Sequence, residues 1–274
     1  LIYIGGNAQI GTQDTLNSTL YEVQAGNVLG AGNGTNDVAN SGQVNNSHII
    51  VDQNAHILNS VYGGGNYGIV GETRSTSATA KIEILGGIVD QNVYGGANQN
   101  NIYGQTIVNV KGGQVKGAVY GGSNSSGTIS TTSTINVTGG TLGVEGNTTD
   151  NGVLFGGGYG QNTTISGNAV VNILDTDQNV HIYGSGYGGS QLGRMNGNVE
   201  VNIQDIPDTP NTISIIGFIF AGGKGNEQRA ATITGTATIN VDGSNLPEAS
   251  VFGGNDINGT TSGIITVNIG ETYK

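Results

Sequence analysis

The chain has 274 residues, of which 51 are glycine, 3 are proline and none is cysteine. Charge is sparse and acidic, with 8 Lys and Arg against 19 Asp and Glu, for a net charge of −11. Binding to a phosphate backbone or to an anionic membrane needs clustered Lys and Arg, and here they are scattered. No disulfide framework can form, and no apolar run approaches the roughly 20 residues that span a bilayer. The composition therefore argues against nucleic acid as a partner and against direct insertion of this segment into a membrane.

From the amino terminus onward, a short motif recurs in which an aromatic residue precedes two small residues. Its clearest copy is residues 60–68 (SVYGGGNYG), and residues 2–7 (IYIGGN) and 27–34 (NVLGAGNG) are weaker copies. Self-similarity at such intervals indicates a repeat architecture. The aromatic residues of the stronger copies are Tyr62, Tyr94, Tyr120, Phe155, Tyr183, Phe220 and Phe252.

A second repeated motif alternates β-branched and polar residues, as in IVNV at 107–110 and TVNI at 266–269, with HIIV at 48–51 and LYEV at 20–23 as degenerate early copies. Alternation at period two predicts half-buried strands. The aliphatic face is predicted to point inward in every copy, from Ile82 and Ile84 to Val267 and Ile269. The other face carries Glu83, and because an unpaired carboxylate is costly inside a protein, this face is predicted to meet solvent. Its amide residues are Asn109, Asn136, Asn172, Asn202, Asn240 and Asn268.

The two motifs keep step along the chain at intervals of roughly 26–38 residues, so length changes fall in loops. No amphipathic segment with a 3.6-residue period separates the strands, which argues against helices. We therefore expect an all-β fold, a right-handed parallel β-helix of about nine coils with a rise of about 4.8 Å per coil. The handedness is extrapolated from crossover connections in parallel sheets. Residues 1–274 are expected to form a single domain, cut from a longer protein.

Each repeated column has a structural and a functional interpretation. The glycine pairs fit tight corners better than a phosphate-binding loop, which needs a Lys-Ser/Thr or a helix start behind the glycines. The aromatic column is predicted to stack for packing, with carbohydrate stacking as the alternative. The asparagine column is predicted to hydrogen-bond along the ladder, or to offer a flat polar face to a glycan or protein.

No set of residues predicts catalysis or a defined metal site. Acidic pairs occur at Asp175 and Asp177 and at Asp205 and Asp208, and Asp256 lies in a further loop, but none completes a calcium-binding motif. No cofactor is predicted, with loop-bound calcium as the alternative. The three histidines, His48, His56 and His181, fall at unrelated phases of the repeat.

The YGGG and VNV repeats resemble those of large bacterial cell-surface or secreted β-helix proteins, including adhesin stalks and autotransporter passengers. This resemblance covers nearly the whole chain and implies a non-catalytic, extracellular module that presents or spaces a binding face for a glycan or for a host or bacterial surface protein. The same class includes polysaccharide lyases and hydrolases, which use clustered Asp residues, or Arg and Lys with calcium. The motif positions here carry no such column, so none of their functional residues is carried over, and an enzyme remains the alternative. Ice binding on a threonine face is a third hypothesis, since Thr134, Thr238 and Thr266 align.

Overall fold

The computed structural model describes residues 1–11, 19–20, 23–24, 26–35, 37–146, 151–205, 212–242, 246 and 248–270, with backbone alone at 19–20 and 23–24. These residues are all-β and contain no helix, which confirms that prediction. Most strands belong to one parallel sheet that curls into a half-barrel. The strands fall into four rows, and within a row each strand pairs with its counterpart in the next repeat.

The first row contains the predicted β-branched motif. Its neighbours pair in parallel and in sequence order, with Asn109 opposite Asn136 and Val108 opposite Ile135. The same register continues to β28, where Asn240 lies opposite Asn268. The nine strands of the row are β1 (Ile2–Ile4), β6 (Ser47–Val51), β9 (Ala78–Ile84), β12 (Gly104–Val115), β15 (Ser133–Gly143), β18 (Ala169–Leu174), β22 (Val199–Gln204), β25 (Ala237–Asp242) and β28 (Ile265–Gly270).

Three further rows follow the first within each repeat. The second contains β2 (Gln9–Ile10), β7 (His56–Ile57), β10 (Ile88–Val89) and β19 (Val180–Tyr183), with the ends of β12 and β15. The third contains β5 (Val28–Leu29), β8 (Val61–Tyr62), β11 (Val93–Tyr94), β13 (Val119–Tyr120), β16 (Gly152–Phe155), β20 (Ser185–Tyr187) and β26 (Ala249–Phe252). The strand β23 (Ile213–Phe220) joins the second row to the third. A smaller sheet forms the fourth row, with β14 (Ser126–Ile129), β17 (Asn162–Ile165), β21 (Arg194–Met195), β24 (Ala231–Ile233) and β27 (Gly259–Thr261).

The core is the aliphatic face of these rows. Burial alternates along the first-row strands, so that Val108 and Val110 are fully buried while Asn109 between them is half-buried. This confirms the predicted faces through β25. On β28, however, Val267 is 41% and Ile269 is 70% exposed, because β25 is the strand's only partner among the described strands. Both side chains lie in register with the buried Ile239 and Val241, so they share the predicted face, but they are not buried in the core.

Glycine at the corners is explained by close backbone approach. A Cβ atom added to Gly63 would lie 2.1 Å from the carbonyl oxygen of Gly95, and one added to Gly95 would lie 2.4 Å from that of Gly121. None of these three glycines has a positive φ angle. Positive φ angles occur instead in the glycine pairs that follow the first row, at Gly87 (74°) for example. The corner interpretation therefore holds, but space rather than left-handed backbone geometry requires the glycine.

Two assignments near the amino terminus are wrong. Residues 2–7 do not begin with an aromatic corner, since Ile2–Ile4 forms β1 and pairs in register with Ile49–Val51 of the first row. The described ends of the predicted strand at 20–23 do not belong to the first row, because β3 (Thr19–Leu20) and β4 (Val23–Gln24) pair antiparallel with each other. Ile2 and Ile4 alternate with Tyr3, which is the same period-two pattern that marks the later strands.

Candidate functional site

The asparagine column forms a continuous ladder of side-chain hydrogen bonds. Asn136 Nδ2 donates to Asn109 Oδ1 at 2.8 Å, and the same bond links each later member to the one before it, at 2.7–2.9 Å. In-register parallel pairing brings the amides together, since each of the six first-row strands from β12 to β28 carries its asparagine at the same position. The predicted ladder is thus present. Its members are half-buried along one face of the sheet: Asn109, Asn136, Asn172, Asn202, Asn240 and Asn268.

These amides keep unused hydrogen-bonding capacity. An asparagine side chain has two N–H donors and an oxygen with two lone pairs. A ladder member that bonds in both directions uses one N–H and one lone pair, so one of each remains. Asn240 also donates to Glu200 Oε1 at 3.1 Å. Along the last three amides runs a cavity of about 310 Å³, bordered by Gln204 and Asp242. This face can therefore present a repeated polar pattern to a ligand.

The aromatic column is a stack of parallel rings inside the third row. Successive ring centroids are 4.7–5.1 Å apart, from Tyr62 to Phe252. The structure places Tyr187 in this stack, between Phe155 and Phe220, where the sequence predicts Tyr183. Tyr183 ends β19 in the second row and pairs with Ile216. All members except Phe252 are at most 7% exposed, which agrees with packing. The members in register are Tyr62, Tyr94, Tyr120, Phe155, Tyr187, Phe220 and Phe252.

A second asparagine ladder, which the sequence reasoning missed, follows the corner glycines. Asn66 Nδ2 donates to Asn33 Oδ1 at 2.9 Å, Asn98 to Asn66 at 2.8 Å, and Asn124 to Asn98 at 2.8 Å. We call the positions four residues after Leu29 and after each stacked ring of the third row the corner column. The signal was visible in the sequence, because asparagine ends GGGN, GGAN and GGSN alike.

The corner column then changes character. In the next four repeats it holds Tyr159, Gln191, Lys224 and Asp256, which differ in size and charge. The backbone continues unchanged, since Gln191 N donates to Gly158 O at 2.9 Å just as Asn98 N donates to Gly65 O at 2.9 Å. This is a group of singular polar side chains on an otherwise repetitive surface.

Histidine–carboxylate–lysine clusters lie on the early first and second rows. Glu83 Oε2 is 2.5 Å from His48 Nε2 and 3.0 Å from Lys81 Nζ. Burial acts to raise the pKa of Glu83, but hydrogen bonds from Lys81 and His48 outweigh it and hold the pKa below its usual value. In the sequence the histidines fall at unrelated phases of the repeat. In the structure, strand register places His48 on β6, in the first row.

Asp90 lies in a matching cluster in the second row. Its Oδ2 is 2.9 Å from His56 Nε2 and its Oδ1 is 2.7 Å from Lys116 Nζ. Burial again acts to raise the pKa of this carboxyl group, and the neighbouring Lys116 and His56 lower it below the usual value. In both clusters a histidine and a lysine contact the carboxylate and favour its ionised form.

Two carboxyl groups from adjacent repeats meet where β18 and β22 end. Asp175 is fully buried and follows Leu174, which pairs with Gln204 just before Asp205. Burial, then a hydrogen bond that protonated Asp205 makes to Asp175, and then the charge of Asp175 raise the pKa of Asp205. The sequence predicts pairs of aspartates that are near neighbours in the chain, whereas the fold brings together aspartates from adjacent repeats.

The other loop aspartates do not converge. Asp177 accepts a hydrogen bond from Thr138 Oγ1, and Asp256 Oδ2 accepts one from the Tyr187 hydroxyl at 2.9 Å. Asp208 lies outside the described residues. Among the residues that the structure describes, no group of three or more His, Asp or Glu side chains is arranged to hold a metal ion.

In the described part of the chain, no helix has the length and apolar character of a membrane span. No family model, curated protein or solved structure matches the sequence.

Proposed function

We propose that residues 1–274 form one right-handed parallel β-helix of about nine coils, which acts as a non-catalytic surface module of an adhesin-like bacterial protein. Support for the coil comes from nine first-row strands, each paired in parallel with the next in sequence order. Such a chain grows in one dimension by adding repeats. Support for an exported role comes from the low charge and the resemblance to adhesin stalks and autotransporter passengers.

The observation that carries the functional proposal is the unbroken ladder from Asn109 to Asn268. Amide donors and acceptors repeat there at strand spacing, about 4.8 Å, on one face of the sheet. A glycan or an extended protein segment offers hydroxyl or peptide groups that such amides can bind. The cavity along Asn202, Asn240 and Asn268 gives this face a concave part, where a ligand would be bound more closely than on a flat surface.

Binding of the purified chain to a glycan array and to a panel of surface proteins tests the proposal. Asn240→Ala, which lies on the cavity, is expected to weaken binding of the ligand that emerges. Asn136→Ala is the matched control, since it also interrupts the ladder but lies away from the cavity. Equal losses for both variants would assign the ladder to stability alone, and a blank screen would leave only a spacer role.

A polysaccharide lyase or hydrolase is the second candidate, and the Asp175–Asp205 pair is the observation that favours it. A carboxyl group with a raised pKa beside a second one is the arrangement that general acid catalysis uses. Release of sugar from acidic or neutral polysaccharides, abolished by Asp205→Asn, would establish this function. If neither the parent chain nor Asp205→Asn releases sugar, the pair is a structural contact between repeats.

A further inference from the structure

We propose that the last repeat is a docking edge for an extended segment of a separate polypeptide chain, in which an asparagine lies between two β-branched residues. The first, third and fourth rows end at β28, β26 and β27, and each of these strands pairs with only one described strand. The free side of an edge strand carries N–H and C=O groups that can pair with the backbone of another chain. The last repeat thus offers three such edges.

The same repeat exposes the largest group of apolar side chains. It holds six of the eleven large hydrophobic residues that are exposed in the described chain, namely Phe252, Ile257, Ile264, Ile265, Val267 and Ile269. Although the chain has a net charge of −11, Asp256 is the only charged residue among residues 249–270. Exposed apolar groups that cluster in this way mark interaction sites, and charge is depleted at the core of protein interfaces.

The core is closed at the opposite end of the rows. Ile4 of β1 and Val28 of β5 are each 7% exposed, whereas Ile269, at the register position of Ile4, is 70% exposed. The open part of the core is therefore in the last repeat, and a partner that adds a strand would cover it.

The asparagine ladder specifies the chemistry of the added strand. Each member from Asn109 to Asn240 accepts a hydrogen bond from the amide of the next repeat, whereas no described residue donates to Asn268 Oδ1. An amide NH₂ group at the next position would complete that bond. The residues on either side of this amide would then cover Val267 and Ile269, as β28 itself covers β25, and β-branched side chains suit those positions.

A second copy of the chain does not fit this edge at either of its ends. Its β1 carries Tyr3 at the amide position, and the Tyr3 hydroxyl already donates to Asp52 Oδ2 at 3.1 Å. Two copies joined at their last repeats would bring together two ladder ends that both present amide oxygen, and like partial charges repel. The occupant is therefore assigned to a different chain.

This inference does not rest on ligand binding along the ladder. Val267 and Ile269 lie on the inner face of β28, and neither borders the cavity at the ladder's end. Substitution of Val267 tests the edge and Asn240→Ala tests the ladder, so each proposal can fail without the other.

Fluorescence anisotropy of a labelled, end-capped peptide copy of residues 131–139 (TTSTINVTG), titrated with the 274-residue chain, tests the edge. We expect saturable binding. Asn136→Leu in the peptide should weaken the affinity about fivefold or more, because the amide donor is lost. Exchange of Ile135 and Asn136 keeps the composition but moves the amide to the inner face, and it should abolish saturation.

Val267→Asp in the chain should weaken binding of the parent peptide about tenfold or more, because the docked strand would bury a carboxylate. Val144→Asp is the matched control, since both valines are 41% exposed and Val144 lies in an earlier repeat. It should alter the affinity by less than about twofold. Melting curves of both variants are compared with the parent chain, and the peptide substitutions do not depend on them.

Four results would overturn the proposal. No saturation at about 1 mM chain would remove the site. Equal affinity for the parent and Asn136→Leu peptides would remove the asparagine assignment. Equal effects of Val267→Asp and Val144→Asp would place the binding elsewhere. Sedimentation of the chain alone as a dimer that Val267→Asp dissociates would assign the edge to a second copy.

Discussion

The corner column divides the molecule into two regions built on the same backbone. Asn33, Asn66, Asn98 and Asn124 occupy it in the early repeats and bond to one another through their side chains. Tyr159, Gln191, Lys224 and Asp256 occupy it in the later repeats. The main-chain hydrogen bonds between repeats continue across the boundary, as from Asn124 N to Ala97 O and from Lys224 N to Ser190 O.

This difference separates what the fold requires from what it permits. The main-chain bonds hold the corner whatever side chain follows, so asparagine is an added stabilisation and not a condition of folding. Where the ladder stops, side chains of different chemistry can surround a cavity. In the corner column, therefore, the repeated asparagine adds stability, and the departure from asparagine leaves room for side chains of other chemistry. The following predictions test that distinction.

The largest expected effect is that of Phe155→Ala, at the boundary of the two regions. The ring is fully buried between Tyr120 and Tyr187, at 4.9 and 4.7 Å, and its loss should cost about 3–5 kcal/mol. Phe252→Ala is the control, since that ring is 43% exposed and should cost clearly less. Urea unfolding measures both. A loss for Phe155→Ala no greater than that of the control would contradict a shared core.

Gly122→Ala tests the crowding of the corners. A Cβ atom there would lie 2.8 Å from Gly158 N, whereas one at the equivalent Gly254 would meet nothing within 4 Å. Overpacking against backbone should cost about 1–3 kcal/mol at Gly122 and little at Gly254. Thermal melting of the two variants provides the comparison, and equal melting temperatures would show that the corners can relax.

Asn98→Ala and Tyr159→Asn contrast the two regions directly. Asn98 both donates to Asn66 and accepts from Asn124, so its removal should cost about 1–2 kcal/mol. Tyr159→Asn alters an exposed side chain outside the ladder and should change the free energy of unfolding by less than about 0.5 kcal/mol. Urea unfolding of the two variants provides the comparison. A loss at Tyr159 as large as the loss at Asn98 would show that the later region depends on its corner side chains as much as the early one.

Glu83→Gln should destabilise the chain at neutral pH by an amount that shrinks on acidification. The folded pKa of Glu83 lies below its ordinary value of 4.5, so the ionised form is favoured by folding. That contribution is present above the unfolded pKa and is lost as pH falls below about 4.5. Unfolding of both proteins at pH 7 and pH 3 measures it. A difference that stays constant with pH would exclude an electrostatic origin.

Asp205→Asn should have the opposite sign and the smallest effect. The folded pKa of Asp205 lies above its ordinary value of 3.8, so folding favours the protonated group. The favourable contribution is present below the unfolded pKa and is lost as pH rises through the folded pKa. The variant should consequently be slightly more stable than the parent at pH 7 and equal to it at pH 3. Destabilisation at pH 7 would mean that the ionised carboxylate is needed.

The sequence predicts the first row well because the pattern that specifies this row lies within each strand. Alternation of Val108, Asn109 and Val110 determines which face is buried, and equal spacing of the motif places the amides in register. The same reasoning fails at Tyr183, where two aromatic–glycine pairs occur four residues apart in IYGSGYGG. Strict use of the motif selects Tyr187, since only that ring precedes two consecutive glycines.

Side-chain contacts between repeats could not be predicted from the spacing of the motifs. The contact of His48 with Glu83 crosses from β6 to β9 with a two-residue offset, and Asp175 meets Asp205 only because β18 and β22 end together. The cavity beside Tyr159 likewise combines residues from five repeats. Such sites depend on how loops of unequal length align, which the periodicity does not specify.

The ladder from Asn109 to Asn268 also has a direction. Each amide after Asn109 donates toward the preceding repeat, so the side-chain dipoles add head to tail instead of cancelling, and each bond polarises the next. The NH₂ end of this array is at Asn109, and the residue opposite it on β9 is Glu83, a carboxylate. A fixed negative charge thus lies at the positive pole, and the sheet carries an electrical polarity along the ladder that a ligand at its other end would meet as carbonyl oxygen.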